Sequence, residues 1–262
     1  MIERLKDTTY IATISGGKDS VTMCDLLLKN EYPVDYILFA DTLNEYKEMY
    51  EYIEKIKKYF KSRYNKNITI LKPKTTFEDW AYGVLEKGER TGYVRGLPLI
   101  TNPCYWRREA KVKPQDDFIK DFEKVIFYIG YTKGENRSIQ NTDKQTFLYP
   151  LKDIFKMTEE DCKQYLINQE MENPLYRHFS RTGCDMCPFK SEKDWFNTWK
   201  YYPKTWDKIK KIENNLNGSV NDTFFTNYRN HKQMEELFKS ADKQGSLFDF
   251  SDEPLKDCFC KI

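Results

Sequence analysis

The sequence predicts an α/β fold, a doubly wound parallel sheet followed by a mainly helical carboxyl-terminal extension. Three observations carry that expectation. Short apolar runs suited to buried strands recur along the first half, helical patterns separate them, and the first run ends in a glycine-rich turn, Ser15-Gly16-Gly17-Lys18-Asp19-Ser20. A chain of 262 residues is long enough to bury such a core.

The first strand is expected at Tyr10 to Ile14, and the helix after the turn is marked by Val21, Cys24, Leu27 and Leu28 on one face. Two adjacent glycines let the backbone turn tightly and bring bare N–H groups against an anion, which the dipole of the following helix also favours. Lys18 adds a cation, and Ser15 and Ser20 add hydroxyl donors. The turn reads as a phosphate cradle whose glycine spacing is not that of the Walker A loop.

The second strand, Tyr36 to Ala40, delivers Asp41-Thr42-Leu43-Asn44-Glu45 before a long helix over 47–64. A third strand is expected at Ile68 to Leu71. A fourth, Val125 to Ile129, delivers the segment from Gly130 through Glu135 to Arg137. Ligands of parallel sheets gather beyond the carboxyl ends of the strands, so these three polar clusters are expected on one rim. Taken singly, Asp41 reads equally well as a helix cap, and Glu135 or Arg137 as a surface charge.

Past Tyr149-Pro150-Leu151, Thr158 with Asp161 three residues on predicts a capped helix that carries Cys162, Tyr165 and Leu166. From Ser191 the chain becomes helical and aromatic, with Trp195, Phe196, Trp199 and Trp206. The expected division is 1–189 for the sheet domain, including a Cys-x-x-Cys segment, 190–240 for the helical extension, and 241–262 for a flexible tail.

Basic and acidic residues number 43 and 41, leaving a net charge of +2, so charge alone does not point to nucleic acid. Two stretches, 55–74 and 199–211, interleave lysines with aromatic residues. Amphipathic helices produce the same composition as a base-stacking surface, and the helix reading is favoured. The first seven residues lack the apolar core of a signal peptide, and no stretch approaches the ~20 apolar residues of a membrane span. The expectation is a cytoplasmic protein with no membrane partner. Its seven cysteines then read as thiols or metal ligands rather than disulfides.

Cys184 and Cys187 form a Cys-x-x-Cys pair that lets two thiolates converge on one soft metal, and Cys104 is the candidate third ligand. Cys24 and Cys162 lie on apolar helix faces and are expected in the core. Cys258 and Cys260 are open to three readings: a swinging thiol pair, a fourth ligand, or an inert end.

The hexapeptide at 15–20 resembles the PP-loop of the ATP pyrophosphatases. A longer series adds Asp41-Thr42, Cys104-x-x-Arg107-Arg108 leading to Lys111-x-Lys113-Pro114, the segment from Gly130 to Arg137, Asn173-Pro174-Leu175-Tyr176 and Gly183-Cys184-x-x-Cys187-Pro188-Phe189. Together they resemble the phosphoadenosine phosphosulfate (PAPS) reductase-like family of adenine nucleotide alpha hydrolases. That family includes sulfonucleotide reductases, sulfur-insertion enzymes and the DndC-type proteins of DNA phosphorothioation.

The resemblance implies that ATP is held by its β,γ-phosphates and cleaved between α and β to adenylate an acceptor, in preparation for sulfur attack. Ser15, Gly16, Gly17, Lys18 and Ser20 would hold pyrophosphate, while Asp19 or Asp41 would position Mg2+. Thr42, Gly130, Glu135 and Arg137 would complete the nucleotide site, with Arg107, Arg108 and Lys111 on the same rim. Cys104, Cys184 and Cys187 would hold a [4Fe-4S] cluster with one open iron, a reading favoured over Zn2+ because a structural zinc needs four closed ligands. The implied partners are a nucleic acid or nucleotide acceptor and a sulfur donor protein. Two alternatives stand beside this: a sulfonucleotide reductase, and a DNA-associated accessory protein that holds a nucleotide structurally. The intact Lys18 and the lack of a Glu-Cys-Gly-type ending favour ATP over the reductase substrate. Gln244-Gly245-Ser246-Leu247-Phe248 also resembles the peptides that dock on the DNA sliding clamp.

Overall fold

The computed structural model of the chain describes residues 4–98, 104–216, 219–224 and 229–244. Five strands, β1 (Thr8–Ile14), β2 (Tyr36–Ala40), β3 (Ile68–Leu71), β4 (Lys124–Tyr128) and β5 (Gln145–Leu148), form one sheet in the order β3-β2-β1-β4-β5. All four pairings are parallel, with Ala12 opposite Ile37 on one side and Tyr128 on the other. The strand order reverses between β1 and β4, so the crevice for a ligand opens beyond their carboxyl ends.

Alternation along the strands divides the sheet's two faces. Tyr10, Ala12, Ile14, Ile37, Phe39, Ile126 and Tyr128 face one core, and Ile11, Leu38, Val125 and Phe127 face the other. The first face is covered by α1 (Lys18–Lys29), α2 (Lys47–Tyr64) and, past β5 and the short α6 (Pro150–Asp153), α7 (Glu159–Asn168). Cys24 and Cys162 are fully buried there, in keeping with their reading as packing residues. The second face is covered in part by a helical run made of α4 (Tyr105–Arg107), a π-helical turn (Arg108–Val112) and α5 (Lys113–Ile119).

A separate core joins α3 (Phe77–Tyr82) and the residues around Trp106 to the carboxyl-terminal helices α8 (Glu192–Tyr201), α9 (Pro203–Asn215) and α10 (His231–Gln244). It is mainly aromatic, with Phe77 edge-on to Trp106 and stacked on Phe224. This core draws on residues either side of position 189. The aromatic residues of the two lysine-rich stretches are largely spent on packing. Phe60 and Trp206 are buried, and Tyr59, Tyr64, Trp199 and Tyr202 lie against the cores. The amphipathic reading of those helices holds.

The α7 cap forms as its residues require: Thr158 accepts from the Asp161 N–H, and Asp161 accepts from the Thr158 N–H at 2.8 Å. Asp41 is not a helix cap, because the residue before α2 is Tyr46. Strand β5 is not among the strands read from the sequence. Its four residues are all half-buried on the sheet edge, and a short segment with polar Gln145 and Thr146 carries no clear strand pattern. No described helix is long and apolar enough to cross a membrane. The peptide at 244–248, Cys258 and Cys260 fall on or beyond the edge of the described residues.

Candidate functional site

The turn after β1 is built around two glycines with different duties. Gly16 has φ +76°, a region that disfavours side chains, and a Cβ there would come within 2.3 Å of the Met49 sulfur. Its carbonyl accepts from the Asn173 side chain at 2.8 Å, which ties the loop to the Asn-Pro-Leu-Tyr segment. Gly17 is the residue before α1 and offers no capping side chain of its own, so the positive end of the helix opens on the turn. The Ser20 hydroxyl accepts from the Ser15 N–H at 3.0 Å and closes the turn. Gly130, at the end of β4, lies so close that a Cβ would meet the Ser20 backbone at 2.9 Å. The β1–β4 crevice is therefore as narrow as glycine permits.

Lys18 crosses this loop. Its ammonium contacts Glu159 at 2.7 Å and Asp19 at 3.5 Å, and its N–H donates to the Tyr176 hydroxyl at 2.9 Å. Burial disfavours its charge, yet Asp19, Tyr176 and Glu159 together outweigh that and hold its pKa above the ordinary lysine value. The cation stays charged at any physiological pH.

From this loop a cavity of about 330 Å³ runs to the Cys-x-x-Cys segment, within the size range of small-ligand sites. Ser15, Gly17, Lys18, Asp19, Ser20, Gly130 and Arg137 line one end, and Cys184 and Cys187 line the other. Arg137 is set by Glu135, which pairs with its guanidinium and also accepts from the Thr132 N–H at 2.8 Å. Gly16, Asp41 and Glu135 thus stand behind the cavity wall rather than on it. Asp41 accepts from the Leu43 N–H at 2.8 Å and the Tyr50 hydroxyl at 3.0 Å, so of the two candidates for Mg2+ Asp19 alone faces the cavity.

A much smaller cavity of about 20 Å³, room for about one water, also lies against the thiols. Cys184 and Cys187 line both spaces, and Cys104, Thr42 and Arg107 line the small one. Arg108 is exposed and lines neither. The Cys184 thiol lies 3.5 Å from the Thr42 hydroxyl and 3.9 Å from a Glu45 oxygen. Burial raises the Glu45 carboxyl to about 7, against the opposing pull of Lys111 and the hydrogen bond from Thr42. Burial likewise raises Cys104 to about 11 and Cys184 well above the usual thiol value.

The donor chemistry of three thiols beside one space suits a soft metal or an iron–sulfur cluster. Among the described residues, however, no group of three Cys, His, Asp or Glu side chains is spaced to close on one ion. The thiols share a wall without forming a finished ligand set.

Sequence reasoning passed over Glu159, Arg181 and Lys190, which line the large cavity together with Glu45 of the polar cluster after β2. Glu159 was in plain view as the first residue of a capped helix. Its reach to Lys18 across 141 positions leaves no local signal.

A model of the phosphoadenosine phosphosulfate reductase domain matches residues 9–190. An uncharacterized protein of Methanocaldococcus jannaschii is 28% identical over 220 residues, 79% of this chain and 48% of its own. The chain thus spans about half the length of that relative. Among solved structures, phosphoadenylyl-sulfate reductase from Candida auris in a phosphate complex has a TM-score of 0.49 at 18% identity, covering 67% of this chain and 81% of its own. The U34-tRNA thiolase of Methanococcus maripaludis with its [4Fe-4S] cluster has a TM-score of 0.38 at 16% identity, covering 88% of this chain and 72% of its own.

Proposed function

The chain belongs to the phosphoadenosine phosphosulfate reductase domain family, and from that premise we propose that it is a PP-loop enzyme that cleaves ATP between its α and β phosphates to adenylate an acceptor for sulfur transfer. The observation that carries this reading is the single cavity joining the loop at 15–20 to Cys184 and Cys187. A nucleotide held by the loop would share this space with the Cys184 and Cys187 thiols.

The chemistry follows from the loop. An acceptor oxygen attacks the α-phosphorus, the α–β bridging bond breaks, and pyrophosphate leaves with the electron pair. The positive end of the α1 dipole and the Lys18 ammonium would face the charge that develops on the leaving group, the most effective place for fixed positive ends. Glu159 must yield Lys18 to the phosphates for this to happen. Asp19 would hold Mg2+, and the ion would neutralise pyrophosphate as it departs. Arg137 and Arg181 line the cavity as further anion partners. Cys104, Cys184 and Cys187 as they stand do not close on one ion, so no step is assigned to a cluster or metal there.

Incubation of anaerobically purified chain with α-labelled ATP and Mg2+ tests this directly, with adenylyl sulfate as a parallel substrate. Adenylate and pyrophosphate from ATP support the proposal. Sulfite from adenylyl sulfate would instead establish a sulfonucleotide reductase, and turnover of neither would favour a DNA-associated accessory role with a structural nucleotide.

A further inference from the structure

Lys18 offers two donors that suit a phosphate, its backbone N–H at the start of α1 and its ammonium, and an oxygen of the chain itself engages each. The Tyr176 hydroxyl accepts from the Lys18 N–H at 2.9 Å. A Glu159 carboxylate oxygen lies 2.7 Å from the ammonium, which also rests over the Tyr176 ring, 5.8 Å from its centroid. Tyr176 and Glu159 both line the large cavity.

Each oxygen is held in place by its own segment. Asn173 accepts from the Leu175 N–H at 3.0 Å and donates to the Gly16 carbonyl at 2.8 Å, which pins the short turn Pro174–Arg177 to the loop beside it. The Tyr176 hydroxyl is hydrogen-bonded in addition to the Thr182 side chain. Glu159 is placed by α7, which packs along α1 in the same direction. Lys18 meets Glu159, the Thr22 hydroxyl donates to the Cys162 carbonyl at 3.2 Å, and the Tyr165 hydroxyl donates to Asp25, at successive turns of both helices. The two helices therefore begin side by side, and both dipoles favour negative charge where they begin. Glu159 supplies such a charge from within the chain.

We propose that Glu159 and Tyr176 are internal competitors for a diphosphate, their oxygens engaging the two Lys18 donors that it needs, and that they thereby weaken the hold on pyrophosphate and hasten its release. The inference rests on the phosphate reading of the turn and deepens it, because pyrophosphate is the product that must leave before the next turnover. A ligand that takes both donors must first break both internal contacts, so its affinity falls by what those contacts contribute. Release of a tightly held product limits many enzymes, and a competitor built into the site eases that step.

The test titrates inorganic pyrophosphate into the full chain and follows binding by calorimetry. Glu159→Gln keeps the length of the side chain and removes its charge, and Tyr176→Phe keeps the ring against Lys18 and removes the oxygen. Each is expected to bind pyrophosphate about three- to tenfold more tightly than wild type, the scale of one hydrogen bond or partly exposed ion pair, and the double variant more tightly than either. In ATP turnover the same variants should be inhibited by correspondingly less added pyrophosphate. Trimming a side chain that only contacts the ligand weakens binding, so unchanged or weaker affinity in folded variants would overturn the proposal while wild-type binding leaves the phosphate reading standing. Glu159→Gln, at a partly exposed position, carries the test if Tyr176→Phe does not fold. A chain that binds no pyrophosphate as wild type or as either variant would overturn the inference together with the phosphate reading.

Discussion

The two ends of the cavity are built in opposite ways. At the phosphate end, six successive residues supply the turn, the hydroxyls, the cation and the first turn of the helix, and Gly130 and Asn173 close around them. At the thiol end, Cys104, Cys184 and Cys187 arrive from segments 80 residues apart, and the side chains beside the Cys184 thiol, Thr42 and Glu45, come from a further place, the loop after β2. The difference teaches where each end is vulnerable. A contiguous loop fails by losing one of its own residues, whereas an assembled wall fails when a supporting element shifts.

The sharpest way to break this comparison is at Lys18. Lys18→Met should lower ATP turnover on the order of 100-fold, the usual scale for removing a group that faces developing charge, and should leave bound metal unchanged. Kinetics with metal analysis on the same sample check it, and equal losses at both ends would mean that they are one unit. Gly16→Ala comes next. The positive φ and the 2.3 Å approach to Met49 should together cost about 2 kcal/mol in urea unfolding, with weaker pyrophosphate binding. An unchanged midpoint would show that the turn tolerates a side chain.

At the thiol end, Cys184→Ser should weaken Co2+ binding at least about tenfold, read by the loss of thiolate-to-metal absorption. Retained absorption would remove Cys184 from the ligand set. The smallest effect is expected at α7, which carries Glu159 to Lys18. Thr158→Ala should cost about 1 kcal/mol in thermal unfolding, and the loss should appear as a weaker pyrophosphate affinity only if α7 positions the phosphate end. The hydrogen bonds from the Thr158 hydroxyl and N–H to the Asp161 carboxylate depress its pKa. A depressed carboxylate stabilises the folded chain above its unfolded pKa of about 3.9, and this contribution is lost as pH falls through the lower folded value. Asp161→Asn should therefore flatten the acid limb of the α7 stability profile, which pH-dependent melts would show.

Much of the fold was legible because its signals are local. The strands β1 to β4 and the helix over 47–64 stand where their apolar patterns place them, since period and burial coincide in a sheet covered on both faces. Strand β5 was not legible, because an edge strand with no fully buried residue lacks that pattern. The same divide runs through the site. Lys18 and Asp19 reach the cavity as their loop requires, while Asp41, read as an Mg2+ candidate, turns to Tyr50 and the Leu43 N–H behind the wall. Arg107 turns to the small cavity beside the thiols and Arg108 to solvent, a division that neighbouring arginines in sequence do not announce.

By itself the sequence determined the glycine-rich turn at 15–20 and the sheet that presents it, because a tight turn, a helix dipole and a strand period are properties of residues close along the chain. Only the tertiary structure decided that this turn and the Cys-x-x-Cys segment share one cavity, that Glu159 holds Lys18, and that Lys190 lies buried against the rings of Tyr46, Phe179 and Trp195. Those contacts join residues separated by more than a hundred positions or depend on which face of a packed core a side chain meets, and no local pattern encodes either.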